Sequence, residues 1–505
     1  MMKMVRPLAY TAAFGVAGTL GANLLWADPP KPPAAPPAVA ADPPKPVALD
    51  PVKITDAKTE TKTAVAPKAL SAAVRAGLVF LVKAQQDDGG WSQGGGWRTQ
   101  VQGGGGRVEG KNVEDPSDIG NTCFALLALF RAGSSPTEGD HKEAVAKGLK
   151  FVLTKVEKAD KETLYVTDVR NTQLQSKIGP YVDTFLVNLV LAEMKGQAGT
   201  DEKRLTAALE KTMNKIVKHQ TADGGFANNG GWAPTLSVGI ANKSINRAKQ
   251  NGVEVDQKVL DRAFAQSKGT AAGTGGAGGA AVTTGPAVGG AKPTELLAAA
   301  PALAGAEPGF GRGRAGGFGG GGAGGGDAGV RLYSLGQGAG NAQDVVNSLR
   351  VDGEKARKVL RDAAAPKEQK DKATRQLAEL EKAETTNNEV QKNLAATVKD
   401  DRFVAGFGSN GGEEFLSFLN ISEALLVKGG KDWEEWDGKM TKGLEKAQDK
   451  DGSWAGHHCI TGKTFCTAAA MLVLTADRTP FPLDVLKAGA TVAPEKGPAP
   501  APEKK

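Results

Sequence analysis

Apolar residues recur at helical spacing in many separate segments of this chain, and the segments are of two kinds. Some carry one apolar face; these are residues 71–85, 143–156, 204–220 and 440–448. Others are apolar nearly all round; these are residues 121–133, 182–194, 413–427 and 463–476. A helix without a polar face is buried, whereas an amphipathic helix lies at the edge of a core. The pattern predicts an all-α fold in which inner apolar helices alternate with outer amphipathic ones.

A nine-residue stretch closes three of the amphipathic segments. Lys83–Trp91 reads KAQQDDGGW, Lys446–Trp454 reads KAQDKDGSW and Lys218–Phe226 reads KHQTADGGF. The shared form is K-x-Q-x-x-D-G-[GS]-[WF]. Of the two adjacent acids in the first copy, Asp88 recurs and Asp87 does not. One active site would not require three such copies, so the repetition indicates a structural corner rather than a catalytic carboxylate pair.

Each shared residue has a structural role at the end of a helix. The glycine takes the left-handed conformation that ends the helix, and the aspartate before it bonds its own backbone two residues on. The glutamine reaches backbone groups of a neighbouring connection, and the aromatic ring fills the gap between helix pairs. The residues assigned to this structural repeat are Gln85, Asp88, Gly89, Trp91, Gln220, Asp223, Gly224, Phe226, Gln448, Asp451, Gly452 and Trp454.

The repeat resembles the QW motif of the squalene cyclase and protein prenyltransferase superfamily, which shares the prenyltransferase/squalene oxidase repeat. The resemblance covers residues 68–245 and 400–480. It implies an α/α toroid, in which paired inner and outer helices surround a central cavity. We expect an incomplete α6/α6-type barrel of about five such pairs. Residues 151–170 and 400–412 look like degenerate copies of the repeat that have lost the glutamine or the tryptophan.

Composition divides the rest of the chain. Residues 1–27 place Lys3 and Arg6 before an apolar stretch, as a secretory signal does, while Leu25 near the cleavage site leaves an uncleaved anchor as the alternative. A Pro-rich linker is expected next, at 28–66, followed by a first toroid part at 67–252 and a helix continuing it at 253–267. A disordered Gly-rich insertion at 268–340 and a charged helical segment at 341–400 then precede a second toroid part at 401–482 and a Pro/Ala/Lys-rich tail at 483–505. We expect the charged segment to be an exposed, solvated helical hairpin, and the linker and tail to be disordered.

Charge and the signal restrict the partners. The net charge is +7, but no Lys/Arg cluster is interleaved with aromatic residues, so no nucleic-acid partner is expected. The signal predicts an exported protein, periplasmic or extracellular, that contacts a membrane only if the N-terminal anchor is retained. The Pro-rich linker and tail fit display in the cell envelope.

The resemblance also directs the search for a catalytic acid. In the cyclases an acidic D-x-D-D-T-A box opens one inner helix, and its central aspartate protonates the polyene. The corresponding stretch here is Asp118-Ile-Gly-Asn-Thr-Cys123, so Gly120 stands at the central position. Protonating an alkene needs a strong and well-placed acid. Asp118 and Asp183 remain as weak catalytic candidates, and with Asp115, Glu413 and Glu414 they are either helix caps or a ring of carboxylates at one mouth of the toroid.

A histidine–cysteine segment, GHHCITGKTFC, supplies the candidates for a metal or a disulfide. His457, His458, Cys459 and Cys466 form a set of residue types that bind zinc, at a spacing that matches no known finger. Export would permit a disulfide between Cys459 and Cys466. The third interpretation is a loop that leads into a buried helix. No other cofactor is expected.

These observations leave the function open between classes. The leading hypothesis is a non-catalytic binding or interaction scaffold, with an envelope protein or an apolar ligand as its partner. The alternative is an enzyme like the terpene cyclases or prenyltransferases, with a divergent site in the central cavity. A zinc-dependent activity at His457–Cys466 is the third hypothesis.

Overall fold

The computed structural model describes residues 52–55, 59–95, 115–263, 331–405, 411–456 and 459–490 of the 505-residue chain. Within these ranges the protein is predominantly α-helical, which confirms the all-α prediction. The described ranges leave out the signal, most of the linker, residues 268–330 of the expected Gly-rich insertion and the end of the tail, so the expectations of disorder for these parts lie outside them.

Seven labelled helices precede the longest gap in the described chain, at 264–330. They are α1 (Ala72–Ala84), α2 (Ile119–Arg131), α3 (Lys142–Lys158), α4 (Gln173–Ile178), α5 (Val182–Met194), α6 (Glu202–His219) and α7 (Pro234–Gln250). A further helical stretch, 257–263, reaches the edge of the described range. After the gap come α8 (Arg331–Arg361), α9 (Lys367–Thr397), α10 (Asp401–Val404), α11 (Glu414–Lys428), α12 (Gly430–Ala447), α13 (Lys463–Leu474) and α14 (Leu483–Ala490).

Local sequence accounts for several helix starts. Ser71, Asp118 and Thr172 each accept a hydrogen bond from the backbone amide three residues on, which satisfies one of the free amides at the start of α1, α2 and α4. Pro234 occupies the first turn of α7, where its missing amide costs no helical hydrogen bond. The capping residues and Pro234 thus determine the residue at which each of these four helices begins.

Two short antiparallel strand pairs hold the segment before α1. Strand β1 (Lys53–Ile54) pairs with β3 (Val253–Glu254), and β2 (Thr61–Thr63) pairs with β4 (Pro480–Pro482). The expectation of a disordered linker through residue 66 is therefore wrong for its last part. Backbone pairing with distant strands orders a segment that cannot build a core of its own.

The buried helices contact one another in a closed order. Helix α2 packs on α5, α5 on α7, α7 on α8, α8 on α11 and α11 on α13, and α13 packs back on α2. Outside them, α1 packs on α13, α3 on α2, α6 on α5, α9 on α8 and α12 on α11. The alternation of inner and outer helices that the apolar pattern predicts is thus seen as contacts between neighbours.

Helix α8 departs from the prediction. Its first residues fall in the expected insertion, and its first half is buried against α7 and α11 rather than exposed. Gly336 and Gly340 let Ser417 and Asn420 of α11 approach closely, since a Cβ at either glycine would lie 3.0–3.2 Å from them. Polar side chains line this contact: Asn420 donates to Gln337, which in turn donates to Asn341, and apolar periodicity does not register such residues.

The expected tail also begins too early. Residues 483–490 form α14, which packs on α8 and α11, and its Val485 is fully buried. Arg350 of α8 donates from Nη1 to the Val485 carbonyl oxygen at 3.5 Å. The ordered chain therefore extends beyond the expected boundary at 482 because this short helix covers the inner helices.

Candidate functional site

The repeated corners link one outer helix to the next. The side-chain amide of Gln85 donates to the carbonyl oxygen of Ala144 in α3 at 2.8 Å, and that of Gln220 to Val259 at 3.2 Å. Gln448, near the end of the described chain, donates to Ala73 in α1 at 2.9 Å. The last corner thus bonds to the first outer helix, which extends the closed order of contacts to the corners.

The other repeat residues make the contacts expected of a structural corner. Asp88, Asp223 and Asp451 each accept from the backbone amide two residues on, at 3.0, 3.2 and 3.1 Å. The glycine after each of them has a positive φ of 82–89°, which disfavours any other residue. The indole of Trp91 donates to the Leu81 carbonyl at 2.7 Å, and that of Trp454 to Leu444 at 2.8 Å.

The candidate acids lie at the amino ends of the inner helices, close to these corners. Asp118 caps α2: its Oδ1 accepts from the Asn121 amide and its Oδ2 from the Asn121 side chain, both at 2.8 Å. Asp115 accepts from the backbone amides of Gln93, Gly94 and Gly95 at 2.8–3.2 Å. Both therefore have a structural role in the conformation described here.

Asp183, in the first turn of α5, differs from them. Its Oδ2 accepts from Gln175 at 2.7 Å, whereas its buried Oδ1 has no hydrogen-bond partner within the described chain. A Cβ added at Gly120 would lie 2.9 Å from this Oδ1 and 3.5 Å from Oδ1 of Asp118. Asp118 and Asp183 thus flank the space above the glycine that replaces the expected acid; they are called the carboxyl pair below.

Burial changes the ionisation of the carboxyl pair. Loss of hydration, together with the charge of Asp183, raises the pKa of Asp118 to about 8. Loss of hydration raises the pKa of Asp183 to about 6, although the Gln175 hydrogen bond and Arg170 act in the opposite direction. At neutral pH a proton is therefore held in this pair, next to Cys123, whose thiol pKa is also raised by burial.

The acids of α11 contact the segment that holds Cys459. The Tyr333 hydroxyl donates to Glu413 Oε1 at 3.0 Å, and the Ile460 amide donates to Oε2 at 3.2 Å. Glu414 is fully buried beside them. Burial and the Glu413 carboxylate raise the pKa of the Cys459 thiol to about 12, so this cysteine stays protonated and is a poor nucleophile.

The histidine–cysteine segment is only partly described, since His457 and His458 lie outside the described residues. Cys459 and Cys466, for which a disulfide was one of the open interpretations, are not joined, and the Cys466 thiol donates to the Ile460 carbonyl at 3.5 Å. Elsewhere in the described ranges no group of three or more His, Cys, Asp or Glu residues is placed to hold a metal.

A second group of charges, which sequence reasoning missed, lies towards the carboxyl ends of the inner helices. It joins side chains of α2, α5, α7, α8 and α11 and is called the ion cluster; its members are Arg131, Glu193, Lys243, Arg247, Asp344 and Glu423. Three cations face three acids, and all six side chains are at most 8% exposed. The only signal in the sequence is the presence of Arg131, Glu193 and Glu423 inside apolar segments.

Glu423 lies at the centre of the ion cluster. It accepts from Arg131 at 3.1 Å, from Lys243 at 2.5 Å and from Arg247 at 3.4 Å. Burial alone would oppose its ionisation, but the charges of Lys243, Arg247 and Arg131 lower the pKa of this carboxyl well below its usual range. Arg131 also pairs with Glu193 at 2.7 Å. These bonds bridge α11 to α2 and α7, which are not neighbours in the closed order of helix contacts.

The described surface also contains a cleft of about 820 Å³ near the carboxyl end of α7. Its walls carry charges of both signs, including Lys249, Asp261, Asp352, Lys355 and Lys372. Lys249 and Asp352 pair with each other at 2.6 Å. The cleft is therefore polar, unlike the apolar cavities that hold most small ligands.

Comparison with known proteins adds no identity: no family model, curated protein or solved structure matches this chain. Among the helices of the described ranges, none combines the length and the apolar character needed to cross a membrane. The functional argument therefore rests on the side chains and contacts of this chain alone.

Proposed function

We propose that the chain forms an α/α toroid of the squalene cyclase and prenyltransferase repeat type. The closed order of contacts from α2 round to α13 supports this, as does the bond from Gln448 to Ala73. The repeat corners add a second line of support, because the glutamine and the aspartate make equivalent bonds in all three. Counting α8 among the inner helices gives six inner helices in the described ranges rather than the expected five.

We further propose that this toroid is an exported, non-catalytic scaffold and that its partner is a protein of the cell envelope. The observation that carries the proposal is the ion cluster. Polyene cyclisation needs an apolar chamber within the ring of helices, whereas here six charged side chains bridge helices across that interior. Removing one partner of a buried ion pair leaves an uncompensated charge, so these side chains cannot readily move aside for a hydrocarbon.

The position of the expected catalytic acid agrees with the proposal. Gly120 cannot donate a proton, and Asp118 uses both of its oxygens to accept hydrogen bonds from Asn121. A carboxyl that caps a helix in this way stabilises the helix start rather than serving as a free acid. The residues that remain at this place therefore fit a structural role.

The test combines an assay for turnover with one for binding. Purified full-length chain incubated with squalene and with prenyl diphosphates is expected to return them unchanged, while cross-linking in envelope extracts recovers a discrete partner. An unrelated exported helical protein is the control bait. Cyclised or transferred products would contradict the proposal, and so would a monodisperse chain that recovers no more than the control.

A second candidate function is favoured by the unpartnered Oδ1 of Asp183. This oxygen lies beside Gly120 and thus near the place of the missing acid, and the raised pKa of Asp183 lets it carry a proton near neutral pH. In an acid-catalysed reaction Asp183 would be the proton donor. The Asp183→Asn variant separates the candidates, since it would abolish any turnover and leave partner recovery unchanged.

Export is the remaining part of the proposal. It is supported by the residues of 1–27 and by the Pro-rich composition that follows them. Fractionation of cells that express the full chain, with sequencing of the mature N-terminus, is expected to find the protein outside the cytoplasm. Recovery of an intact N-terminus in the cytosolic fraction would contradict it.

A further inference from the structure

One tryptophan differs from the others described. Trp232 is 44% exposed, whereas Trp91, Trp433, Trp436 and Trp454 are all buried. A single exposed apolar side chain needs no explanation, but a contiguous exposed patch marks a binding surface, so the neighbours of Trp232 decide its meaning. Trp232 stands at the start of α7, at the same end of the inner helices as the carboxyl pair.

The sequence links this residue to the repeat. Trp232 follows Phe226, the aromatic residue of the second corner, by six positions and is preceded by two glycines. Trp97 follows Trp91 of the first corner in the same way, although it lies outside the described residues. Two of the three copies thus share a tryptophan six positions after the corner aromatic residue, whereas the third copy has Ile460 there.

Four further side chains join Trp232 in what we call the aromatic rim, which consists of Tyr165, Arg170, Lys177, Tyr181 and Trp232. The Arg170 guanidinium lies 3.7 Å from the Tyr165 ring centre, and the Tyr165 and Tyr181 rings are 5.0 Å apart. Lys177 Nζ lies 5.9 Å from the Trp232 ring centre. The rim thus presents half-exposed aromatic rings with two cations against them.

Backbone contacts hold the two halves of the rim together. The Ala233 amide donates to the Lys177 carbonyl at 2.8 Å. A Cβ at Gly231 would lie 3.1 Å from the Gly179 nitrogen, so the chain before Trp232 lies against the turn that leads to Tyr181. A surface held in place in this way loses little conformational entropy when a partner binds.

Arg170 gives the rim its charge preference. Its Nη1 donates to the backbone carbonyls of Thr167 and Val169, and its charge acts on the buried Asp183 without a contact short enough to count as an ion pair. Stacking on Tyr165 fixes the plane of the guanidinium, and a planar guanidinium with free N–H groups suits a carboxylate. Lys177 adds a second positive charge on the same surface.

We propose that the aromatic rim binds an extended acidic segment of a partner protein. Arg170 takes a carboxylate of that segment, and Trp232 and Tyr181 pack against its apolar parts. Trp, Tyr and Arg are the residues that dominate the energy of protein interfaces, which favours a protein partner. The proposal rests on the proposed scaffold function and specifies where and what the scaffold binds.

The test uses the full-length chain and a labelled peptide of alternating glutamate and proline, with fluorescence anisotropy as the readout. Binding is expected, with an affinity that falls about tenfold or more in Trp232→Ala and in Arg170→Ala. The matched controls are Leu360→Ala and Arg361→Ala, which alter an exposed apolar residue and an exposed arginine of α8 and are expected to leave binding unchanged. Thermal melting of each variant shows that it is folded.

Three outcomes would overturn the proposal. They are no binding of the glutamate peptide, equal binding of a lysine–proline peptide, and loss of binding in the two control variants as well. Stronger binding of polygalacturonate, abolished by the same rim variants, would replace the protein partner with an anionic polysaccharide. If the glutamate peptide does not bind but a partner is still recovered from envelope extracts, the rim alone is rejected. Turnover of a polyprenoid would reject the scaffold function itself.

Discussion

The two ends of the inner helices bury charged side chains to the same degree but treat them differently. Towards the carboxyl ends, Glu423 is 3% exposed and is bonded to three cations. At the amino ends, Asp118 and Asp183 are each 2% exposed, and no cation forms an ion pair with them within the described chain. At neutral pH Glu423 is thus ionised, whereas Asp118, whose pKa burial raises to about 8, holds a proton.

The difference between paired and unpaired buried acids separates structural roles from candidate functional ones. A buried acid that is fully paired specifies how the helices around it assemble. A buried acid with an unpartnered oxygen lowers stability, and such costs are found mainly where a site is used. The ion cluster therefore marks the structural core at the carboxyl ends of the inner helices, while the proposed binding surface, the aromatic rim, lies at their amino ends.

The largest expected effect comes from breaking the ion cluster. Glu423→Gln leaves Lys243 and the two arginines with too little negative charge, and should lower the free energy of unfolding by about 3–5 kcal/mol. The control is Glu157→Gln, which breaks the exposed Arg204–Glu157 pair of 2.7 Å and should cost less than about 1 kcal/mol. Urea unfolding at neutral pH measures both. Equal effects would remove the distinction between the ion cluster and a surface pair.

The carboxyl pair should make the protein less stable as pH rises. Both pKa values are raised on folding, so the native state favours the neutral acids, and this contribution is complete below about pH 4 and lost as pH rises through about 6 and 8. Asp183→Asn removes the part of this destabilisation that comes from ionising Asp183. The variant should therefore be more stable than the natural chain by about 2–3 kcal/mol at pH 8.5.

The pH dependence of the difference is the critical feature. The gain from Asp183→Asn should shrink towards zero near pH 4, where the natural carboxyl is already neutral. Glu423 gives the opposite dependence, because its pKa is lowered on folding. Its ionised carboxylate stabilises the fold when the pH is above the pKa of the unfolded chain, and this stabilisation is lost in acid. A gain that is the same at every pH would show that the aspartate does not titrate in the folded protein.

Filling the space between the carboxyl pair should have a moderate cost. A Cβ at Gly120 would lie 2.8 Å from the Leu174 side chain and 2.9 Å from Asp183, so Gly120→Ala should destabilise by about 1–3 kcal/mol. Gly443 of α12 is also helical but has open space around it, so Gly443→Ala should stabilise by about 0.5–1 kcal/mol. Thermal unfolding should show shifts of opposite sign.

The smallest expected effect separates the two adjacent acids of the first corner. Asp88 accepts from the Gly90 amide at 3.0 Å and from the Ser117 hydroxyl at 2.7 Å, so Asp88→Ala should cost about 1–2 kcal/mol. Asp87 is exposed and outside the repeat, and Asp87→Ala should stay within about 0.5 kcal/mol. If the two variants behave alike, the repeat assignment of Asp88 fails.

The sequence predicts best those features whose determinants lie close together along the chain. The corners are of this kind, because the Asx turn, the glycine and the aromatic residue all act within a few positions. The burial of helix α8 does not follow from apolar periodicity, because Gly, Asn and Gln residues occupy much of its buried first half. The ion cluster was missed because its members come from five separate helices and meet only in the folded chain.

The candidate site was predicted in part for the same reason. The helix-capping interpretation of Asp118 follows from its position alone and matches its bonds to Asn121. The proximity of Asp183 to Gly120 depends on how α5 packs against α2, which no local pattern states. The surface formed by Trp232 and Arg170 likewise depends on contacts between loops that are distant in sequence.

Titration of the individual carboxyl groups tests the contrast between the two ends most directly. Carboxyl ¹³C chemical shifts of Asp and Glu, assigned with the Asp118→Asn, Asp183→Asn and Glu423→Gln variants, report each group separately in the full-length protein. We predict that Asp183 and Asp118 titrate near pH 6 and 8 and that Glu423 stays ionised into strong acid. Ionised Asp118 and Asp183 at pH 5, or a protonated Glu423 at that pH, would contradict the account.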